Sequence, residues 1–289
     1  MNSKNNISNE DLLARSRELA GKTSLSELTS GSELHSAITY HQAALGSEAR
    51  SRLCIHAGIA LGLPVDATVN LAAAVETLHN ASLIQDDLQD NDAMRRGRAA
   101  VWKKFGQDIA INATDLLLSN AFALAASAGP IYAHKLVAIM NRAVARTLQG
   151  QTNDLHVGQQ PGLDQAIAIA REKSGTLFSL SLELPLVMAD YQESLSLARE
   201  TGTLFGIGYQ IFDDLQDREG DRLSGNTANM ALMVEDNAVS KYQANTAEEL
   251  AYYFLNEAAS GAARLPRGCG DLLIEKCSAL LHKLEREAA

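Results

Sequence analysis

Apolar residues recur at intervals of three and four along most of the chain, the spacing that gives a helix one buried face. The clearest run passes through Val69, Leu71, Ala72, Val75, Leu78 and Ser82 to Asp86, with Asp66 as its candidate N-cap. Before it, a helix is expected from Asn9 to Gly21, after ten polar residues expected to be disordered. Ser24 to Gly46 is mixed in character, with Ser-Gly punctuation at Ser30 to Ser32. Ser47 to Leu53, SEARSRL, opens an apolar helix that closes at Gly62-Leu63-Pro64.

Beyond the first run, residues 107–128 and 131–157 read as helices parted by Pro130. His156 to Asp164 reads as a loop with Asp164 as a cap. A helix from 165 carries Lys173-Ser174-Gly175, and Pro185 is expected to kink or break it. Residues 193–217 form another helix, followed by DREGDRLSGNTAN, read as a mobile polar loop. Helices over 230–258 and 271–287 complete the chain. No linker divides it, so one all-α domain over residues 1–289 is expected.

Composition agrees with that class. Five prolines and 5% aromatics, with abundant Ala and Leu, favour helices. The net charge of -10 argues against nucleic acid as a partner. Cys54, Cys269 and Cys277 form no CxxC pair, and their odd count suits a reducing cytoplasm better than a disulfide framework. The polar start MNSKNNISNEDLL gives no sign of a signal peptide. No apolar run is long enough to make a membrane span expected.

The candidate chemistry lies in a pentapeptide that occurs twice. Asp86-Asp87-Leu88-Gln89-Asp90 and Asp213-Asp214-Leu215-Gln216-Asp217 both read DDLQD, each at the end of an apolar helical run. On a helix, Asp86 and Asp90 stack one turn apart, as do Asp213 and Asp217. Like charges so placed repel unless a cation neutralises them. Two such ends facing each other would hold hard divalent ions, most naturally Mg2+, with coordination left for phosphate oxygens. One copy alone reads better as a solvated acidic surface. The identical second copy favours the metal. An EF-hand is excluded, because neither copy opens a loop with the central Gly and closing Glu.

Basic residues accompany the acids. Arg95 and Arg96 follow the first cluster, with Arg98 as a solvated neighbour. Lys173 lies in an apolar stretch, where it either meets a partner or snorkels to water. His79 lies two turns before Asp86 on the same face, and a lone histidine there reads first as a structural residue. Ala81 and Ser82 stand above Leu78, Val75 and Leu71. They either leave room for a hydrocarbon chain or let two helices approach closely.

Together these residues resemble the trans-isoprenyl diphosphate synthases, or polyprenyl synthetases, over about residues 46–235. LHNASLIQDDLQDNDAMRRGRAAVW is similar to the family's first aspartate-rich region and YQIFDDLQD to its second. Lys173-Ser174 resembles its Lys-Thr pair, and Gly150-Gln151 with Asp154-Leu155 its GQxxDL segment. The resemblance implies an all-α bundle around a central cavity, usually homodimeric. It implies about three Mg2+ ions that help an allylic diphosphate ionise. Isopentenyl diphosphate then attacks the cation and loses a proton, lengthening the chain by one isoprene unit.

By the same resemblance, Asp86, Asp90 and Asp213 are the principal metal ligands, supported by Asp87, Asp214 and Asp217. Arg95 holds the allylic diphosphate. Lys173, Ser174 and Gln210 face the leaving group and the developing cation. Arg52, His79 and Arg96 hold isopentenyl diphosphate, with Arg50 beside them. Bulk at Ala81 or Ser82 would stop growth early; both are small, which implies a product of about C20 or longer, geranylgeranyl diphosphate first. Two departures stand out. The family's GGKRxRP reads SEARSRL, with Ala49 in place of the isopentenyl-binding lysine. The lysines after the second cluster are replaced by Arg218 and Arg222 at most. The rival readings are a class I terpene cyclase, disfavoured by the second DDxxD, and a weakly active or regulatory subunit of a heteromeric synthase.

Overall fold

The computed structural model describes residues 8–44, 46–156, 162–224, 229–235, 242 and 244–287. Almost all of these are helical, as the periodicity predicts; among the described residues the extended structure is a two-stranded ladder of two residues each. Packing divides the chain into two compact units, Met1–Met140 with Val187–Ala189, and Asn141–Leu186 with Asp190–Ala289. No linker marks the division, which falls inside two continuous helices, Ala133–His156 and Thr176–Met188.

The first unit contains α1 (Asn9–Leu25), α2 (Glu33–Gln42), α3 (Ala49–Ala60), α4 (Val65–Gln89), α5 (Val101–Phe105) and α6 (Gln107–Ala128). It also holds the first two turns of α7 (Ala133–His156). Helix α1 starts on a capping box: Ser8 Oγ accepts from Asp11 N–H, and Asp11 Oδ2 accepts from Ser8 N–H, both at 3.1 Å. The expected disorder over residues 1–10 therefore does not extend to Ser8, Asn9 and Glu10, while 1–7 lie outside the described residues. Helix α2 falls where the sequence reads as mixed. Its ten residues form one short amphipathic run, capped by Ser32 Oγ, which accepts from His35 N–H.

Helix α4 is the spine of this unit. It packs against α1, α3 and most extensively α6. Ala81 packs with Ala110 and Ala113 of α6, where small side chains let the backbones come close, and Ala72, Ala73 and Ala74 are buried further up the helix. Asp66 is not its cap. Pro64 holds that position, and Asp66 sits in the first turn, where the helix dipole favours a carboxylate and Arg15 pairs with it at 2.7 Å. The far end stops in Schellman fashion. Asn91 turns left-handed at φ 59, and Asp92 N–H reaches back to Asp87 O at 2.9 Å. The basic segment that follows is a hairpin, with β1 (Met94–Arg95) antiparallel to β2 (Arg98–Ala99). Its two-residue loop, Arg96 at φ 52 and Gly97 at φ 72, has the positive angles that a type I′ turn requires.

Helix α6 is long and apolar enough to cross a bilayer by length and composition, with a third of it buried within the chain. Its Ala110, Ala113, Leu117, Ala121 and Leu124 form the packed face, and Ile111 on the outer face is 49% exposed.

The second unit contains the rest of α7, α8 (Leu163–Ala170), most of α9 (Thr176–Met188), α10 (Leu195–Ser224), α11 (Met230–Glu235), α12 (Ala247–Ala263) and α13 (Asp271–Glu287). Gly162, not Asp164, is the N-cap of α8, with Gln165 Oε1 accepting its N–H. Pro185 does not break α9, which continues to Met188. This helix is buried on nearly every face, so packing outweighs the missing hydrogen bond. Its one carboxylate, Glu183, is held by Arg199 at 2.6 Å and Arg142 at 3.4 Å. Helix α10 runs well past the second DDLQD to Ser224, so the segment read as a loop is helical over 217–224. Residues 225–228 lie outside the described residues, as do 157–161 of the expected loop before α8. The expected helix over 230–258 is two helices, α11 and α12, with 236–241 and 243 outside the described residues. Cys54, Cys269 and Cys277 are buried free thiols.

Between α8 and α9 the helix widens into one π-turn, Arg171–Gly175. A Cβ at Gly206 of α10 would lie 2.5 Å from the backbone of Gly175, so glycine at 206 lets α10 touch the π-turn backbone to backbone. Gly206→Val should lower stability by roughly 2 kcal/mol or more, in the range expected of overpacking, read as a lower urea midpoint. An unchanged midpoint would contradict this packing.

Candidate functional site

In the first unit, Asp86 and Asp90 occupy the last turn of α4, with Asp86 half-buried and Asp90 exposed. The C-terminal end of a helix is its negative pole, so both carboxylates are placed against the dipole as well as against each other. Asp87 differs from its neighbours. It is 1% exposed, and its Oδ1 accepts from Arg95 Nε at 2.7 Å and from Arg95 Nη2. Burial pushes the Asp87 pKa up, and Arg95 draws it back. Asp87 is therefore turned into the protein and holds Arg95, rather than presented outward with Asp86 and Asp90. Arg95 also approaches Asp92 at 3.8 Å.

Of the residues assigned to isopentenyl diphosphate, Arg52 is turned to the surface, where it pairs with Glu10. Arg96 is exposed as a residue, but its guanidinium reaches Ala44 O and lies over Gly46. A Cβ at Gly46 would lie 2.3 Å from Arg96 Nη2, so a side chain there would require the Arg96 guanidinium to shift. His79 Nε2 faces Arg50 Nη1 at 3.2 Å. Burial first, and the Arg50 charge second, hold its pKa well below the usual histidine value, so the ring is neutral. Ser82 Oγ donates to His79 O at 2.8 Å. Ala81 is 3% exposed inside the cluster formed with Ile38, Ala110, Ala113 and Leu117. Of the two expected pocket residues, Ala81 is thus buried and Ser82 half-buried.

A cavity of about 170 Å³ lies beside these groups, lined by Arg17, Gly46, Glu48, Glu76, Thr77 and Arg96 among others. Arg17 comes from α1, 31 residues before Glu48, and grips Glu48 Oε1 and Oε2 at 2.9 and 2.7 Å. No local motif points to Arg17, so sequence reasoning missed it. Glu76 lies one turn before His79 on α4, and that spacing was a readable signal.

In the second unit, Asp213 is half-buried and Asp217 exposed, one turn apart within α10. Asp214 is held by Gln210 Nε2 at 2.9 Å and by Met230 N–H at 2.8 Å. Burial pushes its pKa up to about 6, against these two hydrogen bonds. The π-turn presents Lys173 and Ser174. Lys173 Nζ donates to Asp154 Oδ2 at 2.6 Å, so the lysine in an apolar stretch has its partner. Ser174 Oγ lies 3.5 Å from Gln210 Oε1. The structure thus groups Lys173, Ser174, Gln210 and the second cluster. Arg218 and Arg222 both have acidic partners, Glu248 at 3.5 Å and Glu219 at 3.1 Å.

The donor set fits a hard cation. It consists of carboxylates in stacked pairs, without thiolate or imidazole among them. Among the described residues no three acidic, imidazole or thiol side chains already converge on one ion site. A metal here would complete its coordination with water and ligand phosphate oxygens, as Mg2+ does.

Residues 32–229 match the model of the polyprenyl synthetase family. The chain belongs to that family. The short chain isoprenyl diphosphate synthase of Methanocaldococcus jannaschii is 34% identical over 161 residues, 55% of this chain and 49% of that protein. The geranylgeranyl pyrophosphate synthase of Geoglobus acetivorans is 32% identical over 192 residues, 65% of this chain and 60% of that protein. These alignments thus span about half to three fifths of the relatives' lengths. A solved geranylgeranyl pyrophosphate synthetase from Geoglobus acetivorans superposes with a TM-score of 0.80 at 24% identity, over 93% of this chain and 99% of that one. That likeness establishes the all-α fold of the family's synthases.

The Asp87–Arg95 pair gives a direct test. Arg95→Ala leaves a buried carboxylate without its cation and should cost roughly 2–4 kcal/mol by chemical denaturation. Adding Asp87→Asn should recover much of that loss. A small loss, or no recovery, would show that Arg95 does not neutralise Asp87.

Proposed function

We propose that the protein is a Mg2+-dependent trans-prenyltransferase that condenses an allylic diphosphate with isopentenyl diphosphate. The observation that carries this reading is the pair of stacked carboxylates in each unit, in a chain of the polyprenyl synthetase family. Asp86 and Asp90 in the first unit, and Asp213 supported by Asp217 in the second, would hold Mg2+. Asp214 and Asp87 act from behind, by fixing Gln210 and Arg95. Bound Mg2+ would neutralise the diphosphate and make it a better leaving group.

The chain's own residues supply the rest. Lys173, aimed by Asp154, places a positive charge toward the leaving diphosphate. Gln210 and Ser174 offer oxygen atoms to the developing allylic cation. The cavity at Arg17, Arg96 and Glu48 is the place for the acceptor diphosphate, with Arg17 taking the part first expected of Arg52. Small Ser82 sets a product of about C20 or longer, with geranylgeranyl diphosphate first. The family resemblance supports a homodimer, and the three free thiols support a cytoplasmic protein.

The test is elongation by purified protein with Mg2+, labelled isopentenyl diphosphate and each allylic primer in turn. Labelled prenyl diphosphates should form with Mg2+ and not with EDTA, and Ser82→Phe should shorten them. Cyclised hydrocarbon without use of isopentenyl diphosphate would instead show a terpene cyclase. Turnover only after a second chain is added would show a subunit of a heteromeric synthase.

A further inference from the structure

We propose that Glu48 is a specificity-determining residue that competes with the acceptor diphosphate for its own binding site. The inference rests on the reading that the cavity of the first unit receives that diphosphate.

Four observations carry it. Glu48 sits in left-handed backbone, φ 51 and ψ 28, a conformation that an L-residue adopts only at a cost. What holds it there is visible: both carboxylate oxygens engage the Arg17 fork, at 2.9 and 2.7 Å. That fork-to-fork geometry is the one an arginine offers to phosphate oxygens, so the carboxylate occupies the place of an incoming anion. Third, the cavity's lining already holds as many glutamates as arginines. Arg17 and Arg96 face Glu48 and Glu76, the next residue Ala49 brings no charge, and Arg52 is committed to Glu10. Fourth, the cavity is nevertheless built for a polar ligand. Thr77 lines it, is 1% exposed, and its Oγ1 has no hydrogen-bond partner.

An anion entering this cavity must therefore displace Glu48 from Arg17. Removing Glu48 takes away the competing charge, releases the Arg17 fork and suits the left-handed backbone. Glu48→Gly should tighten binding of inorganic pyrophosphate by about tenfold or more in calorimetry, as one charge-assisted hydrogen bond would. It should lower KM for isopentenyl diphosphate with little change in kcat. Glu48→Gln, which keeps the side chain's size, should give part of the same gain if Glu48→Gly folds poorly. Arg17→Ala in the Glu48→Gly background should abolish the gain.

A folded Glu48→Gly with unchanged pyrophosphate affinity would overturn the proposal, as would a gain that survives the loss of Arg17. Pyrophosphate binding is read without turnover. Tighter binding in variants that never elongate would therefore uphold the role of Glu48 and sink the assigned reaction instead.

Discussion

Carboxylates stacked one helical turn apart repel each other, and the local structure around both acidic clusters is shaped by that repulsion. At the end of α4 the penalty is doubled, because the helix dipole opposes the same charges. The protein relieves one charge of each triplet internally. Asp87 is buried against Arg95, and Asp214 is satisfied by Gln210 and the Met230 N–H. The remaining carboxylates stand one turn apart in each unit, half-buried Asp86 with exposed Asp90 and half-buried Asp213 with exposed Asp217.

Close backbone approach makes the rest possible. Alanines on α4 and α6 let those helices pack tightly in the first unit, and Gly206 does the same for α10 against the π-turn in the second. The turn that presents Lys173 and Ser174 is thereby fixed against the helix that bears Gln210 and Asp213. Position and chemistry come from the same small residues. A bulkier side chain at 206 would disturb both.

The all-α class and most helices were legible because the apolar period persists over long stretches such as 65–89 and 107–128. Both acidic clusters were legible because a repeated pentapeptide needs no tertiary knowledge. What escaped depended on contacts between distant segments. Helix α2 was hidden by its short, weakly periodic run. The length of α10 was hidden by Gly220 and a polar tail that reads like a loop. The different fates of the three aspartates in each pentapeptide depend on which way each points from the helix. The place of Arg17 in the cavity wall could not be read at all, because Arg17 belongs to α1 and carries no motif.

The assigned function rests on the proposal that the stacked carboxylates of each unit bind an allylic diphosphate through Mg2+. The most direct measurement is calorimetric binding of a non-ionising allylic thiolodiphosphate, with Mg2+ and with EDTA. Binding should be at least about a hundredfold tighter with Mg2+, and Asp86→Ala and Asp213→Ala should each remove that advantage. Equal affinity in EDTA, or an advantage that survives the loss of either aspartate, would contradict the account.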